Sequence, residues 1–142
     1  MKKPQEHADI FGGSAVAELK FDRDFQILET GNEKYQVQFI NPLFRGKNGL
    51  VVNYAPWCPH CRDMAPTMIK LANLTRGLYP VGAINCYDDT RGNNLLADYL
   101  NITGYPTIKY LDQGNFKDYT GGRELKDFLR FLCVENGLCE LV

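Results

Sequence analysis

The stretch Leu50-Val51-Val52-Asn53-Tyr54-Ala55-Pro56-Trp57-Cys58-Pro59-His60-Cys61 decides the fold of this chain. Its first half, Leu50 to Ala55, is an apolar run that reads as a strand buried on both faces. Past it, Cys61, Met64 or Ala65, Met68, Leu71 or Ala72 and Leu78 recur at helical spacing. Pro59 suits a first helical turn, where a proline lacks only a donor that would have no partner anyway. The pattern predicts a helix from Pro59 as far as Tyr79, kinked at Pro66, which removes a backbone hydrogen bond. Two cysteines therefore stand where a buried strand hands over to a helix.

Outward from this junction, Val81 to Cys86 reads as a second buried strand and Asn94 to Leu100 as a short helix. After Gly104-Tyr105-Pro106, alternation at Ile108 and Tyr110, a turn at Asp112-Gln113-Gly114-Asn115 and a strand around Phe116 to Tyr119 form a hairpin. Leu125, Phe128, Leu129, Leu132 and Cys133 mark one face of a last helix, with Gly137 at its C-terminal cap. Upstream, two readings stay open. One is a hairpin over Phe25, Ile27, Thr30-Gly31-Asn32, Tyr35, Val37 and Phe39; the other is a strand at Val16 to Lys20 with a short helix at Asp22 to Leu28. Leu43 to Lys47 reads as a single turn, and residues 1–14, polar and without a period, as a mobile arm with His7 solvated. A parallel half followed by an antiparallel hairpin, with helices on both faces, is a mixed α/β sandwich. The expected organisation is one domain over residues 15–142, with 15–48 an N-terminal extension and first strand region and 49–132 the core.

Composition narrows the function. The chain has 142 residues, 44% hydrophobic and 23% charged, with a formal charge of −1. That suffices for one domain with its own core, and shows no basic excess for phosphate backbones, so nucleic acid is excluded as a partner. The apolar runs fall far short of the roughly eighteen residues that cross a bilayer, so no membrane span is expected. The start lacks a secretory hydrophobic core and the end, Cys139-Glu140-Leu141-Val142, carries no retention signal. The compartment is left as the cytosol or, for a mature chain, a secretory compartment.

The chemistry lies in Trp57-Cys58-Pro59-His60-Cys61. Two thiols three positions apart on a first helical turn can close to a disulfide and reopen with little backbone movement. Cys58, at the helix N-terminus, meets unpaired N–H groups and the positive end of the dipole, which favour its thiolate and make it the attacking sulfur. Cys61, one turn inside, is the shielded resolving thiol. His60 is placed to donate to the Cys58 thiolate, and a stabilised thiolate makes the disulfide form the better oxidant. A zinc site is not expected, because no second CxxC or paired histidines supply the remaining ligands. Cys86 reads as a core filler, whereas Cys133 and Cys139 are either two inert thiols or one structural disulfide. Trp57, directly before the leading thiol, reads as part of a contact surface.

The sequence resembles the thioredoxin fold, and within it the catalytic domains of protein disulfide isomerases. The matching stretches are Tyr54-Ala55-Pro56-Trp57-Cys58-x-His60-Cys61, Pro66, Gly104-Tyr105-Pro106-Thr107-Ile108-Lys109-Tyr110 and Tyr119-Thr120-Gly121-Gly122-Arg123-Glu124, in the family's order over about Gly49 to Leu132. The resemblance implies a cis proline at Pro106 facing the cysteine pair, backbone groups of Tyr105 that pair with an extended substrate, and an arginine, Arg123, that approaches the resolving cysteine. Pro59-His60 also matches bacterial periplasmic disulfide oxidases, although the flanks do not. It further implies a viral setting as one version of a cytosolic location. One departure stands out. Where the family buries an acid six residues before the first cysteine, often paired with a lysine on the next strand, this chain has Val52 and, by alignment, Ala83. Removing both is consistent, since one alone would strand a buried charge.

These readings converge on a thiol-disulfide oxidoreductase acting on protein cysteines, as oxidase, isomerase or reductase. Cys58 and Cys61 exchange disulfides, His60 and Arg123 assist, and Trp57, Pro59, Tyr105 and Pro106 contact substrate. No cofactor or metal is expected; glutathione or another thiol oxidase or reductase is the expected redox partner. The competing class is a redox-inactive module that uses the same groove to hold clients.

Overall fold

The apolar run at the centre of the sequence forms β4 (Gly49–Tyr54), which is buried at all six positions and so sits in the middle of a sheet. The structure, a computed structural model, describes residues 9–31 and 34–141. On one side of β4 lies β5 (Val81–Asn85), parallel to it, and beyond β5 the short β1 (Ala17–Leu19), also parallel. On the other side β6 (Thr107–Asp112) runs antiparallel to β4 and pairs with β7 (Asn115–Asp118). The order β1-β5-β4-β6-β7 combines a parallel half with an antiparallel hairpin, the thioredoxin arrangement.

Helices cover both faces. One face of the sheet, with Val52, Tyr54 and Ala83, packs against Met68 and Leu71 of α2 (Pro59–Leu74) and Phe128 and Leu132 of α4 (Leu125–Asn136). The opposite face, with Leu19, Val51 and Ile84, packs against Leu96 of α3 (Asn93–Tyr99) and against Phe25 and Phe44. Gly137, at φ 70°, closes α4 in the left-handed conformation that glycine adopts without a Cβ penalty. No helix among the described residues is long and apolar enough to cross a membrane.

The two upstream alternatives coexist. β1 is followed by a four-residue α1 (Phe21–Asp24), and the hairpin of β2 (Phe25–Gly31) and β3 (Lys34–Phe39) forms a separate two-stranded sheet. Asp24 shortens the expected helix. Its buried carboxylate accepts from Lys20 N–H at 2.8 Å and from Asn41 Nδ2 at 2.9 Å, and the chain turns extended at Phe25. The hairpin docks through Phe25 and Phe39, whose rings lie 4.7 Å apart, with Phe44 4.4 Å from Phe39.

Two expectations are corrected and one open choice is decided. Helix α2 ends at Leu74, not Tyr79, because the Thr75 hydroxyl turns back to the Leu71 carbonyl at 3.0 Å and Gly77 follows at φ 82°. The part of the expected mobile arm that is described is docked: Phe11 is 1% exposed and meets the Tyr54 ring edge-on at 5.2 Å, because its apolar ring has a site in the α2-side core. Residues 1–8, with the expected solvated His7, lie outside the described residues. Between the two options for Cys133 and Cys139, the structure has the disulfide.

Candidate active site

Cys58 is the N-cap of α2. Its extended backbone, φ −75° and ψ 118°, lets the sulfur turn back over the helix start, where Cys61 N–H donates to Cys58 Sγ at 3.3 Å. Pro59 takes the first helical position and exposes its ring. On the far side the Cys58 thiol donates to the Tyr105 carbonyl at 3.7 Å. The Tyr105–Pro106 peptide is cis. The leading sulfur thus lies between the amide of its partner cysteine and the main chain of the loop entering β6.

Cys58 is only 4% exposed, because its capping rotamer tucks the sulfur under the Tyr105 carbonyl. Cys61 is fully covered, and its thiol hydrogen-bonds Cys58. Burial, and next that hydrogen bond, push the Cys61 thiol up to about 12, against the opposing effects of an Ala55 backbone group and the Arg123 charge. Arg123, exposed in the loop before α4, donates to the Pro106 carbonyl at 3.3 Å. His60 is exposed at the second position of α2 and makes no hydrogen bond to Cys58 among the described residues. The sulfur's neighbours are instead the Cys61 amide and the Tyr105 carbonyl, so the expected imidazole contact is absent.

The absent acid can be traced through the sheet. Val52 pairs with Ala83, and Ala83 in turn pairs with Glu18 of β1. The row is apolar at its centre, and the carboxylate stands at the edge strand. Glu18 accepts from the Tyr54 hydroxyl at 3.0 Å and from Phe11 N–H at 3.2 Å. Burial first, then the nearby Asp9 carboxylate, push Glu18 up to about 7, opposed by the Tyr54 and Phe11 bonds and by Lys20. Lys20 ties this edge together through Asp9 at 3.1 Å and Asp88 at 2.8 Å.

Sequence reasoning missed two neighbours of the site. Trp57, 47% exposed, has its ring centroid 5.4 Å from Tyr87 and 6.2 Å from Tyr105, and Tyr87 and Tyr105 are 6.1 Å apart, all edge-on. Cys86 does more than fill the core: its buried thiol donates to the Ile84 carbonyl at 3.7 Å and is close enough to Tyr105 for the two groups to influence each other's pKa. The only signal in the sequence was two chemically capable residues immediately after a strand end, where loops carry sites.

Comparison with known proteins agrees with the fold. The thioredoxin family profile matches residues 26–133. A rice protein, protein disulfide isomerase-like 2-2, is 40% identical over 92 residues, covering 63% of this chain and 24% of the relative. Mouse protein disulfide-isomerase A4 is 33% identical over 112 residues, 79% of this chain and 16% of the relative. Among solved structures, the J-Trx1 fragment of ERdj5 superposes with a TM-score of 0.56 at 31% identity, over 63% of this chain and 43% of the other. The first thioredoxin domain of mouse protein disulfide-isomerase A4 gives a TM-score of 0.53 at 28% identity, over 83% and 87%. The chain spans about a quarter of the length of the first curated relatives.

Proposed function

The chain belongs to the thioredoxin family, and from that premise we propose that it is a protein thiol-disulfide oxidoreductase working through Cys58 and Cys61. The observation that carries the reading is the position of Cys58 Sγ, 3.3 Å from the Cys61 amide and 3.7 Å from the Tyr105 carbonyl. An anionic sulfur at a helix start meets N–H donors and the positive end of the dipole. The Tyr105 main chain offers an extended substrate a strand to pair with, beside the reacting atom.

In the reducing direction, the Cys58 thiolate attacks one sulfur of a substrate disulfide. A Cys58–substrate bond forms, the substrate S–S bond breaks, and the displaced thiolate takes a proton. Cys61 then gives up its proton and attacks Cys58 Sγ, leaving a Cys58–Cys61 disulfide and the second substrate thiol. Oxidation of clients runs the same steps backwards. Glutathione or another thiol oxidase or reductase restores the starting form. Arg123 supplies positive charge on the Cys61 side, while Trp57, Pro59, Tyr105 and cis Pro106 border the approach.

The test is direct. Cys58→Ala abolishes insulin reduction and oxidative refolding, and Cys61→Ala accumulates mixed disulfides with clients; full activity in the Cys58 variant ends the proposal. The coverage of Cys58 favours one competing reading, a client-holding module whose thiols are idle. A redox titration separates them, since only the oxidoreductase needs a reversible Cys58–Cys61 couple.

A further inference from the structure

We propose that Tyr87 is a specificity-determining residue, forming with Trp57 and Tyr105 a subsite for an aromatic side chain two positions from the reacting cysteine of the client. This rests on the oxidoreductase reading and adds the client class. The three rings come from three connections at one end of the sheet: β4 to α2, β5 to α3, and α3 to β6. Their centroids lie 5.4, 6.2 and 6.1 Å apart, so each ring contacts the other two. Cys58 follows Trp57 directly, and its sulfur bonds the Tyr105 carbonyl.

A client strand alongside Tyr105 advances about 3.3 Å per residue. Successive side chains alternate faces, so the residue two positions from its cysteine, about 7 Å along, shares the cysteine's face and falls against the rings while the cysteine faces Cys58. The wall is preorganised. The Tyr105 carbonyl meets Cys58 Sγ at 3.7 Å, and Tyr87 N–H donates to Asn85 Oδ1 at 3.0 Å. Trp57, almost half exposed, and the half-buried Tyr87 and Tyr105 leave apolar ring surface open to solvent beside the sulfur. An aromatic side chain covers more of that surface than any other and adds edge-to-face contacts. An arginine gains only an exposed cation–π contact and keeps much of its charge in water.

The experiment uses short peptide dimers joined by one disulfide, identical except that the residue two positions from the cysteine is Phe, Ala or Arg, with glutathione disulfide as the ring-free substrate. The reduced full chain and its Tyr87→Ala and Tyr87→Phe variants are compared by the second-order rate of peptide release. The expected result is about a tenfold preference of the wild type for Phe over Ala. The ratio falls to within about threefold of unity in Tyr87→Ala and is retained in Tyr87→Phe. A wild-type Phe-to-Ala ratio near one, an Arg peptide as fast as the Phe peptide, or a ratio unchanged in a folded Tyr87→Ala overturns the subsite. The wild-type ratios decide the matter even if Tyr87→Ala does not fold. No reaction with glutathione disulfide or with any peptide overturns the oxidoreductase reading instead, and so is told apart from a failed subsite.

Discussion

Resolution by Cys61 should be the slow, pH-driven step of the exchange, and the size of the effect can be worked out. Raising a thiol from its ordinary 9.0 to about 12 lowers its thiolate fraction at pH 7.5 by roughly a thousandfold. A more basic sulfur is also a better nucleophile, and a Brønsted slope of about 0.4–0.5 returns some 15- to 30-fold over three pH units. The net expectation is resolution about 30- to 60-fold slower than from an unperturbed thiol. In the mixed disulfide Cys61 loses its bond to the Cys58 thiol, but burial, the larger cause, remains. Trp57 is the only tryptophan and adjoins Cys58, which makes its fluorescence a natural probe for stopped-flow mixing of the reduced chain with glutathione disulfide. Attack by Cys58 scales with glutathione disulfide concentration, whereas resolution does not. The concentration-independent phase should quicken close to tenfold per pH unit from pH 7 to 10. Arg123→Ala should slow it by about two- to fivefold, the scale of an exposed charge, without changing the slope. A phase that levels off below pH 9, or one indifferent to Arg123, refutes the reasoning.

Three further outcomes follow from other parts of the molecule. Glu18, raised from 4.5 to about 7, keeps its proton in the folded chain over a range where the unfolded chain has lost it, so the stability it contributes below pH 4.5 is lost as pH rises through 7. The full shift corresponds to roughly 3 kcal/mol at most, so Glu18→Gln should gain about 1–3 kcal/mol over the wild type at pH 8 and nothing at pH 4 by urea unfolding; a constant difference across pH is the contrary result. Phe11→Ala should cost about 3 kcal/mol, whereas a mobile segment would leave the denaturation midpoint unmoved. Val52→Glu places a carboxylate at a fully buried position beside Ala83 and Ile108 and should cost about 3–5 kcal/mol, with part recovered by adding Ala83→Lys; an unchanged midpoint in the single variant would show that the row admits water.

The elements nearest the site were the most legible in the sequence, because there local signals and tertiary demands agree. The Leu50 to Ala55 run has to be a central strand, Pro59 suits only a helix start, and the Gly137 cap ends α4 where the apolar stripe stops. Val52 was reached by counting back from Cys58 and Ala83 by alignment with the resembled family, and the register sets the two side by side. What the sequence withheld were facts settled by contacts far along the chain. Asp24 ends a helix through Asn41, and Phe11 finds a core built around Tyr54. Tyr87 and Cys86 join the site only because the β5 end and the Tyr105 loop meet in space. His60 shows the converse. Nearness in sequence suggested a bond to Cys58, but the two lie two positions apart across the helix start, about 200° around the axis.

The dry row across the sheet bears on how the proton of Cys61 can leave. In the pairing Glu18, Ala83, Val52, Ile108, the two central residues are fully buried and carry no proton acceptor. Glu18 lies two strands away from Val52, and its carboxylate is engaged by Tyr54 and Phe11. A route through the sheet would need polar groups that the row does not have. The remaining side is the one bordered by the cis Pro106 loop, where Arg123 reaches the Pro106 carbonyl from solvent and its charge opposes the rise in the Cys61 pKa. On the proposed function, proton release from Cys61 should be governed by water and charge at the surface, because this row of described residues supplies no internal base. It should respond to ionic strength, because an exposed guanidinium is screened within about 10 Å at 0.1 M salt. A buried acid in the usual position would be largely protected from such screening, so salt dependence of the resolution phase distinguishes the two arrangements.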